Sequence, residues 1–181
     1  MTIPNLITIA RLISVPLIVV MMGQERWGVA FMLFLAAGIS DAVDGFIARR
    51  FNMRSEFGAY LDALADKALL VSIYITLSVT GVLPGWLAIL VVSRDLMIIS
   101  AIIVSRLMER PLAIQPLFVS KLNTGAQIVF AAQVLGMKAF DLDAATIDTV
   151  GMVVVAALTI ISAGAYLARW MRHMAGELNG A

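Results

Sequence analysis

Apolar residues run along this chain in long stretches, without the alternation of a strand or the one-sided stripe of a surface helix. Six stretches, at about 3–22, 27–50, 58–82, 84–106, 118–137 and 146–170, each approach the roughly 20 residues a helix needs to cross a bilayer. Between them lie Gly23-Gln24-Glu25-Arg26, Arg50–Glu56, Gly81–Pro84, Met108–Pro116 and Lys138–Ala144. Glycine and proline mark several of these breaks, as they do where helices end. The pattern predicts an all-α, polytopic membrane protein with six transmembrane helices. Little chain is left outside the spans, so residues 1–181 are expected to form a single membrane domain, and no internal repeat, linker or low-complexity segment interrupts it.

Composition agrees. Hydrophobic residues make up 61% of the chain and charged ones 14%, with a mean hydropathy of +0.97. A soluble domain is about 45–50% apolar and about 25% charged, so both values depart towards lipid. The 13 Lys+Arg nearly cancel the 12 Asp+Glu, which leaves no basic footprint for nucleic acid. With no cysteine, disulfides, thiolate metal sites and Cys nucleophiles are excluded, and the single His173 argues against a Ser-His-Asp triad. The first apolar stretch lacks a basic leader and contains Arg11, which favours a retained helix over a cleaved signal.

Basic residues near span ends set the orientation. Arg49, Arg50, Arg54, Arg106, Arg110, Arg169 and Arg172 fall on one side, against Arg26 and Lys138 on the other, where Asp141, Asp143 and Asp148 also lie. The first side is therefore expected to be cytoplasmic, with both termini on it. Trp27, Trp86 and Trp170 near span ends read as interfacial anchors. His173, following Arg169 and Arg172, reads as a headgroup contact.

The chemistry must lie in charges placed where charges are costly: Arg11, Asp41, Asp44, Asp62, Asp66, Lys67, Arg94, Asp95 and Lys121. Asp41 and Asp44 are three residues apart on the second span, and Asp62 and Asp66 four apart on the third, so each pair shares a helix face. The short turn between these spans brings both pairs to the cytoplasmic end. Four carboxylates meeting there repel one another unless cations stand between them. An all-oxygen donor set suits Mg²⁺ or Mn²⁺, and two such ions roughly 3.5–4 Å apart form a clamp for phosphoryl chemistry. The plainer readings are acids solvated at the boundary, surface ion pairs with Lys67 and Arg49, or a proton or ion relay.

Written out, the segment is Asp41-x2-Asp44-Gly45-x2-Ala48-Arg49-x8-Gly58-x3-Asp62-x3-Asp66, which resembles the full signature of the CDP-alcohol phosphotransferase family. The six-span layout and the N-terminal Asn5-x2-Thr8-x2-Arg11 with Pro16 are similar too. The resemblance implies a membrane enzyme with a polar, cytoplasm-facing active-site cavity, which joins a CDP-activated alcohol to an acceptor hydroxyl and releases CMP. It implies metal ligation by Asp41, Asp44 and Asp62, with Asp66 as general base and further metal contact. It also implies CDP binding along Asp41, Asp44, Gly45, Ala48, Arg49 and Gly58, and a homodimer; the compactness of the chain, with little outside the spans, points to the inner membrane of a bacterium. The residue chemistry is compatible: Gly45 and Ala48 leave room beside the helix, and Arg49 offers a fork of donors to phosphate oxygens. Small residues such as Gly45 and Gly58 equally serve close helix packing.

Two branches of the family compete. Ser93-Arg94-Asp95-Leu96-Met97 and Phe118-Val119-Ser120-Lys121-Leu122-Asn123-Thr124-x2-Gln127 resemble stretches of CMP-forming cardiolipin synthases, which use CDP-diacylglycerol and phosphatidylglycerol. Phosphatidylglycerophosphate synthases, which use glycerol-3-phosphate, more often carry a lysine where Asn123 stands. One cation fewer fits an acceptor with a single negative charge. Ala63 departs from the proline common to both branches, but proline would supply no chemical group. Arg94 and Lys121, with Lys67 and Arg11, are the candidates for the acceptor's phosphate, and Asp95 would orient one of them. Adjacent on a helix, Arg94 and Asp95 point about 100° apart, so each is expected to find its partner elsewhere. Structural ion pairs are the alternative for all of these, and Arg11 equally could lock the first helix to its neighbours. Readings of another class are a small ion or metal transporter built on the same acids, or a catalytically idle scaffold. The transporter leaves the spacing of Gly45, Ala48, Arg49 and Gly58 without a reason.

Overall fold

The computed structural model describes residues 3–50, 56–108, 117–142 and 145–174, with side chains over 8–43, 64–105, 107–108, 117–142 and 147–174. Within them the chain forms six helices and no strand: α1 Ile3–Gly23, α2 Trp27–Arg50, α3 Glu56–Val79, α4 Gly85–Leu107, α5 Phe118–Ala139 and α6 Ala145–Met174. The expected elements are all present, with shifted ends. The third ends at Val79 instead of near 82, and the sixth runs on to Met174 instead of stopping near 170.

The early end of α3 has a local cause. Gly81 adopts a left-handed conformation (φ 74°), its N–H donates to the Ser78 carbonyl at 3.1 Å, and Val82 N–H reaches the Leu77 carbonyl at 2.9 Å. This is the Schellman closure, which satisfies carbonyls left open at a helix end. The same closure ends α1, with Glu25 left-handed (φ 58°) and Arg26 N–H on the Met21 carbonyl, and ends α5, with Asp141 (φ 54°) and Leu142 N–H on the Met137 carbonyl. At Glu25 and Asp141 a side chain bears the strain that Gly81 avoids.

Two compact units emerge. One comprises Met1–Gly85 with Ala131–Ala145, the other Trp86–Phe130 with Thr146–Ala181. In the first, α1 packs against α2 and α3. Thr8, Arg11, Val15, Ile18 and Met22 form the buried face of α1 at spacings of three and four, meeting Ala30, Phe34 and Ala37 of α2 and the Ala65–Leu77 face of α3. Gly136 of α5 lies against the Phe31 ring, which also stands edge-on to Phe140. In the second unit the buried faces are Leu87, Val91, Arg94 and Ile98 on α4, Asn123, Gln127 and Phe130 on α5, and Val155, Thr159 and Ser162 on α6. Gly151 of α6 lies directly against the Phe130 ring.

Polar side chains are buried in both units, while large apolar ones such as Ile13, Met32, Val79, Ile89, Val129 and Ile160 are exposed. Water would drive the reverse arrangement. Hydroxyl groups donate back to helix carbonyls (Ser14 to Arg11, Thr76 to Ser72, Ser105 to Ala101), which satisfies them without solvent. Among the described residues, α4 over Gly85–Ser105 and α6 over Ile147–Met174 are long and apolar enough to cross a membrane, whereas Thr8–Gly23 and Trp27–Val43 are apolar but shorter. The apolar helices fit a membrane protein.

Candidate active site

Arg11 stands at the centre of the first unit's polar chemistry. It occupies the buried stripe of α1, and its side chain is only 1% exposed. One arm of the guanidinium, Nη2, lies 2.7 Å from Asp41 Oδ1 on α2. The other, Nη1, donates to Asp66 Oδ1 on α3 at 2.7 Å. The guanidinium thus pairs with one carboxylate from each of two helices, by a hydrogen bond to Asp66 and a charge contact with Asp41. The two acids are themselves 38% and 43% exposed. Arg11 supports them from the buried side, and their outward side meets solvent.

The structure therefore brings together Asp41 and Asp66, the outer members of the four-acid signature. The side chains of Asp44, Gly45, Ala48, Arg49, Gly58 and Asp62 lie outside the described residues. Their backbone is helical, on the last turns of α2 and the first of α3. Among the described residues no three acids gather in one place, as expected when Asp44 and Asp62 are not included. The donors that are described fit a hard cation: they are carboxylate oxygens, solvent-reachable and held at fixed positions, without His or Cys. Lys67, the residue after Asp66, is half-buried.

The second unit has its own buried arginine, with different partners. Arg94 Nη1 donates to Asp95 Oδ1 at 2.6 Å, and both residues are buried. This overturns the expectation that neighbours pointing about 100° apart find separate partners. The Cα–Cβ directions do diverge, but the long arginine stem folds back across the helix and carries its guanidinium to the adjacent carboxylate. Arg94 Nε and Nη2 donate to Ser162 of α6, at 3.2 and 2.7 Å, and Nη2 also to Ser120 of α5. Tyr166 places its ring 5.8 Å from the guanidinium. One side chain thus ties three helices.

Beside it, Gln127 Nε2 donates to Thr159 Oγ1, which donates to Asn123 Oδ1 at 2.9 Å, all three buried. Asn123 Nδ2 has no hydrogen-bond partner among the described residues. Lys121, by contrast, is exposed. Of the four candidates for the acceptor's phosphate, Arg11 and Arg94 are buried, Lys67 is half-buried and Lys121 is exposed. Sequence reasoning missed Thr159 and Ser162. Their signal was two polar residues three apart in the apolar middle of α6, which places both on one face.

The family model described as CDP-alcohol phosphatidyltransferase matches residues 1–163. A cardiolipin synthase (CMP-forming) of Rattus norvegicus is 34% identical over 156 residues, 77% of this chain and 52% of that protein. A probable cardiolipin synthase (CMP-forming) of Drosophila melanogaster is 38% identical over 154 residues, 75% of this chain and 47% of that protein. A probable phosphatidylglycerophosphate synthase of Mycobacterium tuberculosis is 34% identical over 182 residues, 95% of this chain and 83% of that protein. The chain thus spans about half the length of the two animal relatives and most of the mycobacterial one.

Proposed function

The chain belongs to the CDP-alcohol phosphatidyltransferase family, and from that premise we propose that it moves a phosphatidyl group from CDP-diacylglycerol to phosphatidylglycerol, giving cardiolipin and CMP. The observation that carries the reading is the fork of Arg11, which holds Asp41 of α2 and Asp66 of α3 side by side with their outward faces in solvent. A transporter using the same acids would have no need of the Gly45, Ala48, Arg49 and Gly58 spacing.

In this reading Asp41, Asp44, Asp62 and Asp66 hold two divalent ions, Mg²⁺ or Mn²⁺. Bound there, such ions supply positive charge against the diphosphate and the departing CMP. The Asp66 carboxylate accepts the proton of the acceptor hydroxyl as that oxygen attacks the phosphorus bearing diacylglycerol. The phosphorus–oxygen bond to CMP breaks, and CMP leaves with the electron pair. Arg49 offers its fork to phosphate oxygens, and Gly45, Ala48 and Gly58 leave space for the nucleotide. Lys121 and Lys67 remain the candidates for the acceptor's phosphate.

The second reading, a phosphatidylglycerophosphate synthase acting on glycerol-3-phosphate, draws on the mycobacterial relative that this chain matches over 95% of its length. The cardiolipin reading is preferred for the Ser93–Met97 and Phe118–Gln127 stretches and for Asn123 in place of a lysine. We further infer one membrane domain over residues 1–181, six spans, both termini and the site on the cytoplasmic side of a bacterial inner membrane, and a homodimer. The reversed burial of polar and apolar residues and the basic bias of one loop set support the topology. The family resemblance carries the homodimer.

The deciding experiment gives the purified protein CDP-diacylglycerol with either phosphatidylglycerol or glycerol-3-phosphate and identifies the lipid product by mass. Cardiolipin is expected with the first acceptor only. Phosphatidylglycerophosphate with the second alone would transfer the chain to the other branch.

A further inference from the structure

Among the described residues Arg11 is the most deeply buried charge of the first unit, and the phosphoryl-transfer reading above gives it no contact with either substrate. Its two arms engage Asp41 and Asp66 at equal distances of 2.7 Å, one acid from each neighbouring helix. The guanidinium lies on the protein side of the carboxylates, at 1% exposure against roughly 40% for the acids. A residue poised to take a substrate's phosphate would need the opposite arrangement, with its donors turned to the solvent side.

We propose that Arg11 is a positioning residue, a bracket that sets the Asp41 and Asp66 carboxylates in register for divalent cations from behind the site. The proposal rests on the reading of the four acids as metal ligands. Asp41 and Asp66 come from separate helices, and each is negative, so without a bridging cation they repel and choose rotamers independently. A fork with two separated arms fixes both at once, whereas an ammonium is a single point. Groups that orient metal-ligating side chains in this way typically change metal affinity by about 10–100-fold when removed. The bracket adds a positive charge near the cations, so its removal also lifts a repulsion. The alignment effect is the larger of the two in this account.

The test measures Mn²⁺ binding by calorimetry and by the loss of the free-Mn²⁺ electron paramagnetic resonance signal. It uses the full-length protein in detergent, with wild type, Arg11→Ala and Arg11→Lys compared at equal monodispersity and helix content. The expected result is weaker Mn²⁺ binding by about 10–100-fold in Arg11→Ala, with a smaller loss in Arg11→Lys. In turnover, the Mn²⁺ concentration giving half-maximal CMP release rises while the KM for each lipid stays near wild type. Mn²⁺ affinity that is unchanged or tighter in Arg11→Ala would overturn the bracket. So would a raised KM for a phosphate-bearing substrate at unchanged Mn²⁺ affinity, which would make Arg11 a substrate ligand. If Arg11→Ala does not fold, Arg11→Lys decides, and wild-type Mn²⁺ affinity there refutes the need for a fork. A wild-type protein that binds no Mn²⁺ would overturn the metal reading itself, and the bracket with it.

Discussion

Replacing Arg94 by methionine keeps an unbranched apolar stem and removes the guanidinium that joins α4, α5 and α6. Asp95, buried beside it, loses the nitrogen 2.6 Å from its carboxylate, and Ser162 and Ser120 lose a charged donor. Removing one member of a buried ion pair typically costs about 3–5 kcal/mol, because the other charge is left in a poor medium. The serine hydroxyls can turn to their own helix carbonyls, so their share is small, about 0.6 kcal/mol each by membrane-protein averages. Asp95 makes further contacts that soften its loss. The expected cost for Arg94→Met is therefore about 3–4 kcal/mol. Reversible unfolding in mixed SDS and mild-detergent micelles, monitored by circular dichroism, would measure it. Arg94→Met combined with Asp95→Leu removes both charges and should return to within about 1 kcal/mol of wild type. A single-variant cost below about 1 kcal/mol, or a double variant no more stable than the single, would refute the view that this pair governs the second unit.

On α6, Gly151→Ala should destabilise by about 1–3 kcal/mol, because the new methyl would stand 2.7 Å from Cε2 of the buried Phe130 ring, while Gly164→Ala, with open space at its Cβ, should be neutral or slightly stabilising; thermal melts of the two variants make the comparison. At the left-handed helix ends, Glu25→Gly should stabilise by about 0.5–1 kcal/mol and Gly81→Ala should destabilise by about 1 kcal/mol, read in the same unfolding assay. For Lys121→Ala, a rise in acceptor KM with the CDP-lipid KM unchanged is the outcome expected of an acceptor-phosphate ligand, and equal losses for both lipids would make the residue structural.

The helices were legible because lipid-facing stretches of about 20 residues leave a length signal that no packing detail obscures. Their ends were less so. The pattern carried α3 on to residue 82, since Thr80 and Val82 continue the apolar run, and only the left-handed Gly81 with its Schellman bonds stops the helix at Val79. In α6 the apolar run gives out near 170 at the basic residues Arg169–His173, yet basic residues are favoured at a helix C-terminus and no glycine lies between Arg169 and Met174 to stop it. The spacing put Asp41 and Asp66 at the outer ends of the four-acid segment, and the structure brings those two together, while the side chains of Asp44 and Asp62 lie outside the described residues. What the sequence concealed was the partner of each arginine. Helix periodicity gives the direction of Cβ and says little about where a long, flexible stem delivers its charge. Arg94 thus reaches the neighbour it was expected to avoid. Arg11 reaches across to two helices, an arrangement that depends on how α1 packs and not on any local spacing.

In each unit a buried arginine ties three helices. Arg11 turns its acids towards solvent, whereas Arg94 is enclosed with Asp95, Ser120 and Ser162. That contrast is why the chemistry is assigned to the first and cohesion to the second. The most direct test of that assignment is CMP release from CDP-diacylglycerol by the purified protein with phosphatidylglycerol and Mn²⁺ or Mg²⁺, beside an Asp66→Asn variant shown to be folded. The account predicts divalent-dependent CMP release in wild type and its loss in Asp66→Asn. Undiminished release from Asp66→Asn would contradict the role given to that carboxylate. No release from folded wild type with either metal and either acceptor would contradict phosphatidyl transfer as the function.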